Sequence, residues 1–98
     1  MTLTAHAELR AQQRAIHDGE LELVVDYGTR VHNAGALFIF MGKKDIPESL
    51  PPALKERLHG ITLVLAPGTE EILTAYRNKA GLREIKRKRK EYSPNIAA

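Results

Sequence analysis

The sequence predicts an α+β fold in which two N-terminal helices precede a small antiparallel sheet, with a short helix inserted between strands. Two observations favour this order. Capping residues and glycine bound two short segments within the first 28 residues, and β-rich apolar runs separated by Asn, Gly and Pro follow them. The chain of 98 residues is 43% hydrophobic, which suits one modest core. We therefore expect a single domain over residues 1–80 and a basic C-terminal tail over residues 81–98.

Thr4 is the predicted N-cap of the first helix, which we expect to run to about Arg14 or Ile16. Ala5, Leu9 and Ile16 follow helical spacing, so they are expected to face the core.

The second segment lies between Asp18, its predicted N-cap, and Gly28, a glycine expected just after the helix end. The residues between them fit both a helix and an alternating strand. Because stop signals stand at both ends, the short helix is favoured.

The next runs predict a hairpin and a third, short helix. TRV and ALFIFMG flank a turn at Asn33 and Gly35. After a polar, proline-rich connection, Pro52 suits the first turn of a helix that ends at Gly60.

ITLVLA and EILTAYR predict the last two strands, joined by a PGTE turn. Strict alternation in the second of them places Leu73 and Ala75 on one face, and Ile72, Thr74 and Tyr76 on the other.

The composition excludes several kinds of site. Cysteine is absent, which rules out disulfides, thiol nucleophiles and cysteine–zinc centres. The four histidines show no paired metal spacing, so we expect neither a metal nor a cofactor. The apolar runs are too short to span a bilayer and the first residues do not resemble a signal peptide, so a cytoplasmic location is predicted.

Positive charge is concentrated at the C-terminal end. Residues 1–76 carry seven Lys/Arg and ten Asp/Glu, a net charge of −3, whereas residues 77–98 carry eight and two, a net charge of +6. Such a block attracts polyanions, although it also suits a solvated tail. The residues expected to contact nucleic acid are Lys79, Arg83, Lys86, Arg87, Lys88, Arg89 and Lys90.

His6, Arg10 and Arg14 recur at steps of four, which lines them up beside the buried stripe of the first helix. Together with Tyr76 and Arg77 they suit metal-independent RNA cleavage. A histidine can exchange protons near neutral pH, arginines hold phosphate and stabilise its developing charge, and a tyrosine can donate a proton or stack on a base. The alternative is that the arginines form surface ion pairs and Tyr76 is a half-buried strand residue.

These motifs resemble those of a widespread bacterial family whose members open with His-Ala-x-x-Arg-x-x-x-Arg-Gly-Ile. The matching positions are His6, Ala7, Arg10, Arg14 and Ile16, then Tyr27 and Gly28 after the second helix, then Thr74, Tyr76 and Arg77. Ala15 replaces the family's glycine, which predicts a longer or straighter helix end. The family is grouped with the barnase–EndoU–colicin–RelE fold, beside the RelE and BrnT toxins.

The resemblance implies a RelE-like fold and a toxin-type ribonuclease that acts on RNA or on the ribosome and is paired with a cognate antitoxin protein. His6 would be its acid or base, Arg10 and Arg14 its phosphate clamp, and Tyr76 with Arg77 the opposite wall. The alternative is a module of the same fold that binds nucleic acid or protein without chemistry.

Overall fold

The computed structural model describes residues 1–85, which form the predicted α+β fold. The helices are α1 (Ala5–Gln13), α2 (Asp18–Tyr27) and α3 (Pro52–Leu58). The strands are β1 (Thr29–Asn33), β2 (Ala36–Phe40), β3 (Ile61–Leu65) and β4 (Ile72–Arg77). No helix within this range is long and apolar enough to cross a membrane.

The four strands form one antiparallel sheet in the order β1-β2-β3-β4. The predicted hairpin is confirmed. Ala34 and Gly35 make its two-residue turn with φ of 51° and 76°, and positive φ at both central residues matches the twist of the flanking strands. The α3 helix lies in the connection between β2 and β3.

The sheet is covered on both faces. On the front face, the three helices contribute Ala7, Ala11, Leu21, Val24 and Leu58 to a core with β2, β3 and β4. On the back face, Phe38 and Phe40 pack against Ile85. Every residue from Leu37 to Phe40 is buried as a result, which explains why this run shows no alternation.

Thr4 caps α1 as predicted, and its side chain accepts a hydrogen bond from the Ala7 N–H at 3.0 Å. The predicted buried stripe was wrong in part. Ile16 is buried, but Ala5 is exposed and Leu9 keeps 49% of its surface in solvent. Ala7 and Ala11 are the buried residues of α1, because small side chains let the helix lie close against β4.

The second segment is helical as predicted, but its ends differ from the expectation. His17 rather than Asp18 is the N-cap. Gly28 has φ of −68°, so it is not a left-handed cap. A Cβ at Gly28 would instead lie 2.6 Å from Ile39 Cγ2 and 2.7 Å from the Val24 carbonyl. Glycine is required there because α2 passes close to β2.

The predicted faces of β4 hold for Ala75 and Tyr76 but not for Ile72. Leu65 pairs with Ile72 and Val64 with Thr74, which leaves Leu73 as an extra residue. This bulge shifts the alternation by one position. Ile72 and Ala75 therefore both belong to the front core.

Residues 81–85 form a helical turn on the back face of the sheet. Ile85 is fully buried, and its carbonyl accepts a hydrogen bond from Asn33 Nδ2. The first residues of the segment assigned to the tail thus pack against the sheet. The rest of the predicted basic tail lies outside the described range.

Candidate functional site: an arginine corner

A tight turn between α1 and α2 forms the floor of the candidate site. Ala15 adopts a left-handed conformation with φ of 54°. The Ile16 N–H bonds the Ala11 carbonyl at 2.9 Å and the Ala15 N–H bonds the Gln12 carbonyl at 3.2 Å, which is the hydrogen-bond pattern of a Schellman cap. The expectation that Ala15 lengthens or straightens the helix end was wrong, since α1 stops at Gln13.

Glu20, in the first turn of α2, is the buried centre of the site, with a side chain only 6% exposed. Its Oε2 accepts a hydrogen bond from Arg57 Nε at 2.5 Å, and its Oε1 accepts one from the His17 N–H at 2.9 Å. Arg77 Nη2 lies 3.8 Å from Oε1. One carboxylate therefore binds guanidiniums that come from α3 and from β4.

Backbone carbonyls of the α1–α2 turn also bind the guanidiniums of Arg57 and Arg77. Arg57 Nη2 and Arg77 Nη2 donate to the Ala15 carbonyl at 3.0 and 3.1 Å, and Arg77 Nη1 donates to the Arg14 carbonyl. Arg14 Nη1 in turn donates to the Ala75 carbonyl at 2.8 Å. We call Arg14, Arg57 and Arg77 around Glu20 the arginine corner.

The arginine corner carries an excess of positive charge, with three guanidiniums against one carboxylate. Burial raises the pKa of Glu20, but hydrogen bonds from Arg57 and from the His17 N–H, with the charge of Arg57, lower it more. The pKa of Glu20 lies below its ordinary value as a result, and the carboxylate stays ionised at neutral pH. The side chains of Arg57 and Arg77 remain 42% and 32% exposed.

His6 and Arg10 lie on the same helix but outside the corner. At about 1.5 Å per residue, His6 is about 12 Å from Arg14 along α1. Its side chain is exposed and makes no hydrogen bond within residues 1–85. Arg10 is half-buried and donates to Gln13 Oε1 at 2.9 Å. The predicted row of three is therefore present, but only Arg14 reaches Arg77.

Tyr76 and Arg77 do not form one wall, because neighbouring residues of a strand point to opposite faces. Arg77 pairs with Ile61 of the front core, whereas Tyr76 pairs with Thr62, which stands beside Phe40 on the back face. Burial, and then the negative charge of Glu84, raise the pKa of Tyr76. Its phenol stays protonated, but it lies across the sheet from the arginine corner.

The remaining sequence-predicted positions are dispersed. Thr74 is on the back face beside Val64, and Tyr27 is 51% exposed at the end of α2. Lys79 Nζ pairs with Glu56 Oε1 at 2.5 Å, and Arg83 is exposed. Lys86, Arg87, Lys88, Arg89 and Lys90 lie outside the described residues.

Negative charge gathers elsewhere, in a groove between α1 and α2. This acidic groove has a volume of about 820 Å³, and Glu8, Asp18, Glu22 and Asp26 line it together with the first three residues. Three of these carboxylates recur at steps of four along α2. A polyanion is repelled from this side of the helices.

Sequence reasoning missed Glu20 and Arg57 as partners. Glu20 stands three residues after the N-cap His17, a spacing typical of a carboxylate that caps a helix, but the prediction of Asp18 as the N-cap concealed it. Arg57 carried no such signal, since its contact with Glu20 joins residues 37 positions apart. Within residues 1–85, no group of three or more His, Asp or Glu side chains could hold a metal ion.

Comparisons with protein-family models, with curated proteins and with solved structures gave no match.

Proposed function

We propose that this protein binds RNA through the arginine corner and the basic residues that follow β4. The observation that carries the proposal is that Arg57 and Arg77 meet at the Glu20 carboxylate while Arg14, whose backbone carbonyl binds Arg77, is exposed beside them. A guanidinium has five N–H donors. Arg14 uses one of them within the described range and is exposed, so it is the best placed to bind a phosphate.

The surrounding charge supports the same proposal. Lys79 and Arg83 follow β4, and the sequence continues into five consecutive basic residues at 86–90. The acidic groove directs a polyanion away from the other side of α1 and α2. Such a surface binds phosphates without reading bases, so we expect broad sequence tolerance and strong salt dependence.

Fluorescence anisotropy of a labelled single-stranded RNA, measured over a range of salt concentrations, tests this function. Changing residues 86–90 to Gln in the full chain removes five positive charges that can each bind a phosphate, and should reduce the salt slope by about 3.5. Arg14→Gln should reduce it by about 0.7. Lys44→Gln, an exposed charge that has no hydrogen bond or ion pair with the corner within residues 1–85, is the matched control. Equal slopes for the wild type and all three variants would contradict the proposal.

A second candidate is metal-independent RNA cleavage of the toxin type, and the position of His6 favours it. Its imidazole is exposed on α1, the helix whose C-cap is Arg14, and has no partner among residues 1–85. It could take the proton of a ribose 2′-hydroxyl, while a guanidinium stabilises the charge on phosphorus and an acid protonates the leaving oxygen. This candidate function includes a RelE-like fold, a ribosomal target and an antitoxin partner.

Cleavage of total RNA in EDTA, with and without translating ribosomes, separates the two candidates. A ribonuclease predicts cutting by the wild type and none by His6→Ala, with RNA binding retained. Tyr76→Phe should cut normally because Tyr76 faces the other side of the sheet. Absence of cutting by the wild type under both conditions would leave RNA binding as the function.

A further inference from the structure

The outer edge of β1 is open in the described part of the chain. The Asn33–Ala36 pair closes the two-residue hairpin turn, so Asn33, Val31 and Thr29 direct their backbone groups toward β2. Arg30 and His32 therefore direct theirs outward, where no residue of 1–85 bonds them. The strand contains no proline and no bulge, two of the devices that block pairing at sheet edges.

The opposite edge of the sheet shows what a closed edge looks like in this fold. Ile72 N–H donates to the Thr2 carbonyl at 2.8 Å, and Thr4 N–H donates to the Ile72 carbonyl at 3.0 Å. Arg14 covers the Ala75 carbonyl, and the Leu73 bulge interrupts the ladder. The chain thus covers the outer edge of β4 with its own groups. The outward backbone donors and acceptors of β1, in contrast, have no partner within residues 1–85.

We propose that a second copy of this chain pairs with β1 in antiparallel register, with the twofold axis at Val31. This register places Arg30 of each copy opposite His32 of the other, so all four outward groups of each strand are bonded. Val31 meets its counterpart in a non-hydrogen-bonded pair, the position at which side chains are closest. It is half-buried on the back face beside Phe38, so this contact extends an existing apolar cluster.

The strand is matched to itself in length, and its charge near the contact is partly neutralised. The hairpin turn and the end of α2 limit it to five residues, so a second β1 has the length that the edge can pair. Arg30 is drawn toward Glu70 at 3.2 Å, which partly neutralises its charge near the contact.

The pairing has a consequence that rests on the proposed RNA binding. Asn33 binds the Ile85 carbonyl on the back face, so the described chain ends next to β1. A twofold axis through Val31, perpendicular to the sheet, puts both Ile85 residues on one face. Two segments of five basic residues at 86–90 then start from the same side of a continuous sheet, which favours divalent attachment to one RNA.

Sedimentation velocity of the full chain without RNA tests the pairing. An interface built on one strand is small, so we expect a reversible dimer at micromolar concentrations or above. His32→Pro removes the outward N–H and leaves every hairpin hydrogen bond, so it should raise the dimer dissociation constant about tenfold or more. His32→Ala keeps that N–H and is the matched control, expected within about twofold of the wild type.

Hydrogen exchange gives a second readout that needs no variant. The amides of Arg30 and His32 should become protected as the protein concentration rises, whereas the exposed amides of Gly68 and Thr69 should not change. A wild type that stays monomeric up to about 0.5 mM, well above the range expected for a small interface, or equal association of the Pro and Ala variants, would overturn the pairing. A dimer that fails to bind RNA would instead contradict the proposed function and leave the pairing intact.

Discussion

At the scale of single residues, Glu20 joins three segments that are distant in sequence. It accepts hydrogen bonds from Arg57 of α3 and from the start of its own helix, and it faces Arg77 of β4. An acidic group whose pKa is lowered by folding stabilises the folded state when it is ionised. This contribution is complete above the unfolded pKa and is lost as the pH falls through the folded pKa.

We expect Glu20→Gln to lower the free energy of unfolding by about 1–3 kcal/mol at pH 7, because two guanidiniums lose their carboxylate. Above pH 4.5, the ordinary pKa of the group, the difference from the wild type should be constant, and it should shrink as the pH falls further. Urea unfolding between pH 3 and pH 8 measures it. Glu22→Gln, an exposed position on the same helix, should have little effect at any pH. A difference that does not change with pH would show that Glu20 acts only through packing.

Ala15 shows a second constraint at this scale. A left-handed residue with a Cβ costs roughly 1–2 kcal/mol, yet its carbonyl is the acceptor for both Arg57 and Arg77. The conformation of the turn therefore positions the guanidiniums of the arginine corner.

At the scale of elements, glycine positions in and after α2 show how closely the helix approaches the sheet. Gly28 leaves no room for a Cβ between Ile39 and the Val24 carbonyl, whereas a Cβ at Gly19 would meet nothing within 4 Å. The two glycines at the ends of one helix therefore have opposite expected responses to the same substitution.

Gly28→Ala should lower the free energy of unfolding by about 1–3 kcal/mol, since α2 and β2 must separate to admit the methyl group. Gly19→Ala should raise it by about 0.4–1 kcal/mol, because alanine loses less chain entropy in a helix. Thermal and urea unfolding of the two variants measures both signs. Stabilisation by Gly28→Ala would mean that α2 does not pass close to Ile39.

At the scale of the whole molecule, the domain extends beyond residue 80. Gly81 and Ile85 are buried, and Ile85 belongs to the back cluster with Phe38 and Phe40. The hydrogen bond between Asn33 and Ile85 joins this segment to the hairpin, 52 residues earlier. The basic residues therefore follow a packed segment rather than leave directly from β4.

Ile85→Ala should lower the free energy of unfolding by about 2–4 kcal/mol, because it opens a cavity on the back face. Arg83→Ala, an exposed change in the same turn, should be nearly neutral. Denaturant unfolding of the full chain compares them. If both variants are as stable as the wild type, residues 81–85 contribute nothing to the core.

The sequence by itself determined the order and type of the elements. Thr4 caps α1, and Pro52 is the first residue of α3. Asn33 precedes the hairpin turn and Gly35 is part of it. All of these interactions join residues that are close in sequence. It also determined where positive charge concentrates along the chain. The helices and turns depend on the backbone preferences of neighbouring residues, and the charge distribution is read directly from the sequence.

Only the tertiary structure decided which faces are buried and which charges meet. Close packing of α1 on β4 selected Ala7 and Ala11 over Leu9, and the bulge at Leu73 moved Ile72 to the front core. The contact between Glu20 and Arg57 depends on where the fold places the first turn of α2 and the last turn of α3. Such contacts join segments far apart in sequence, and their geometry follows from the shape of the core rather than from any local pattern.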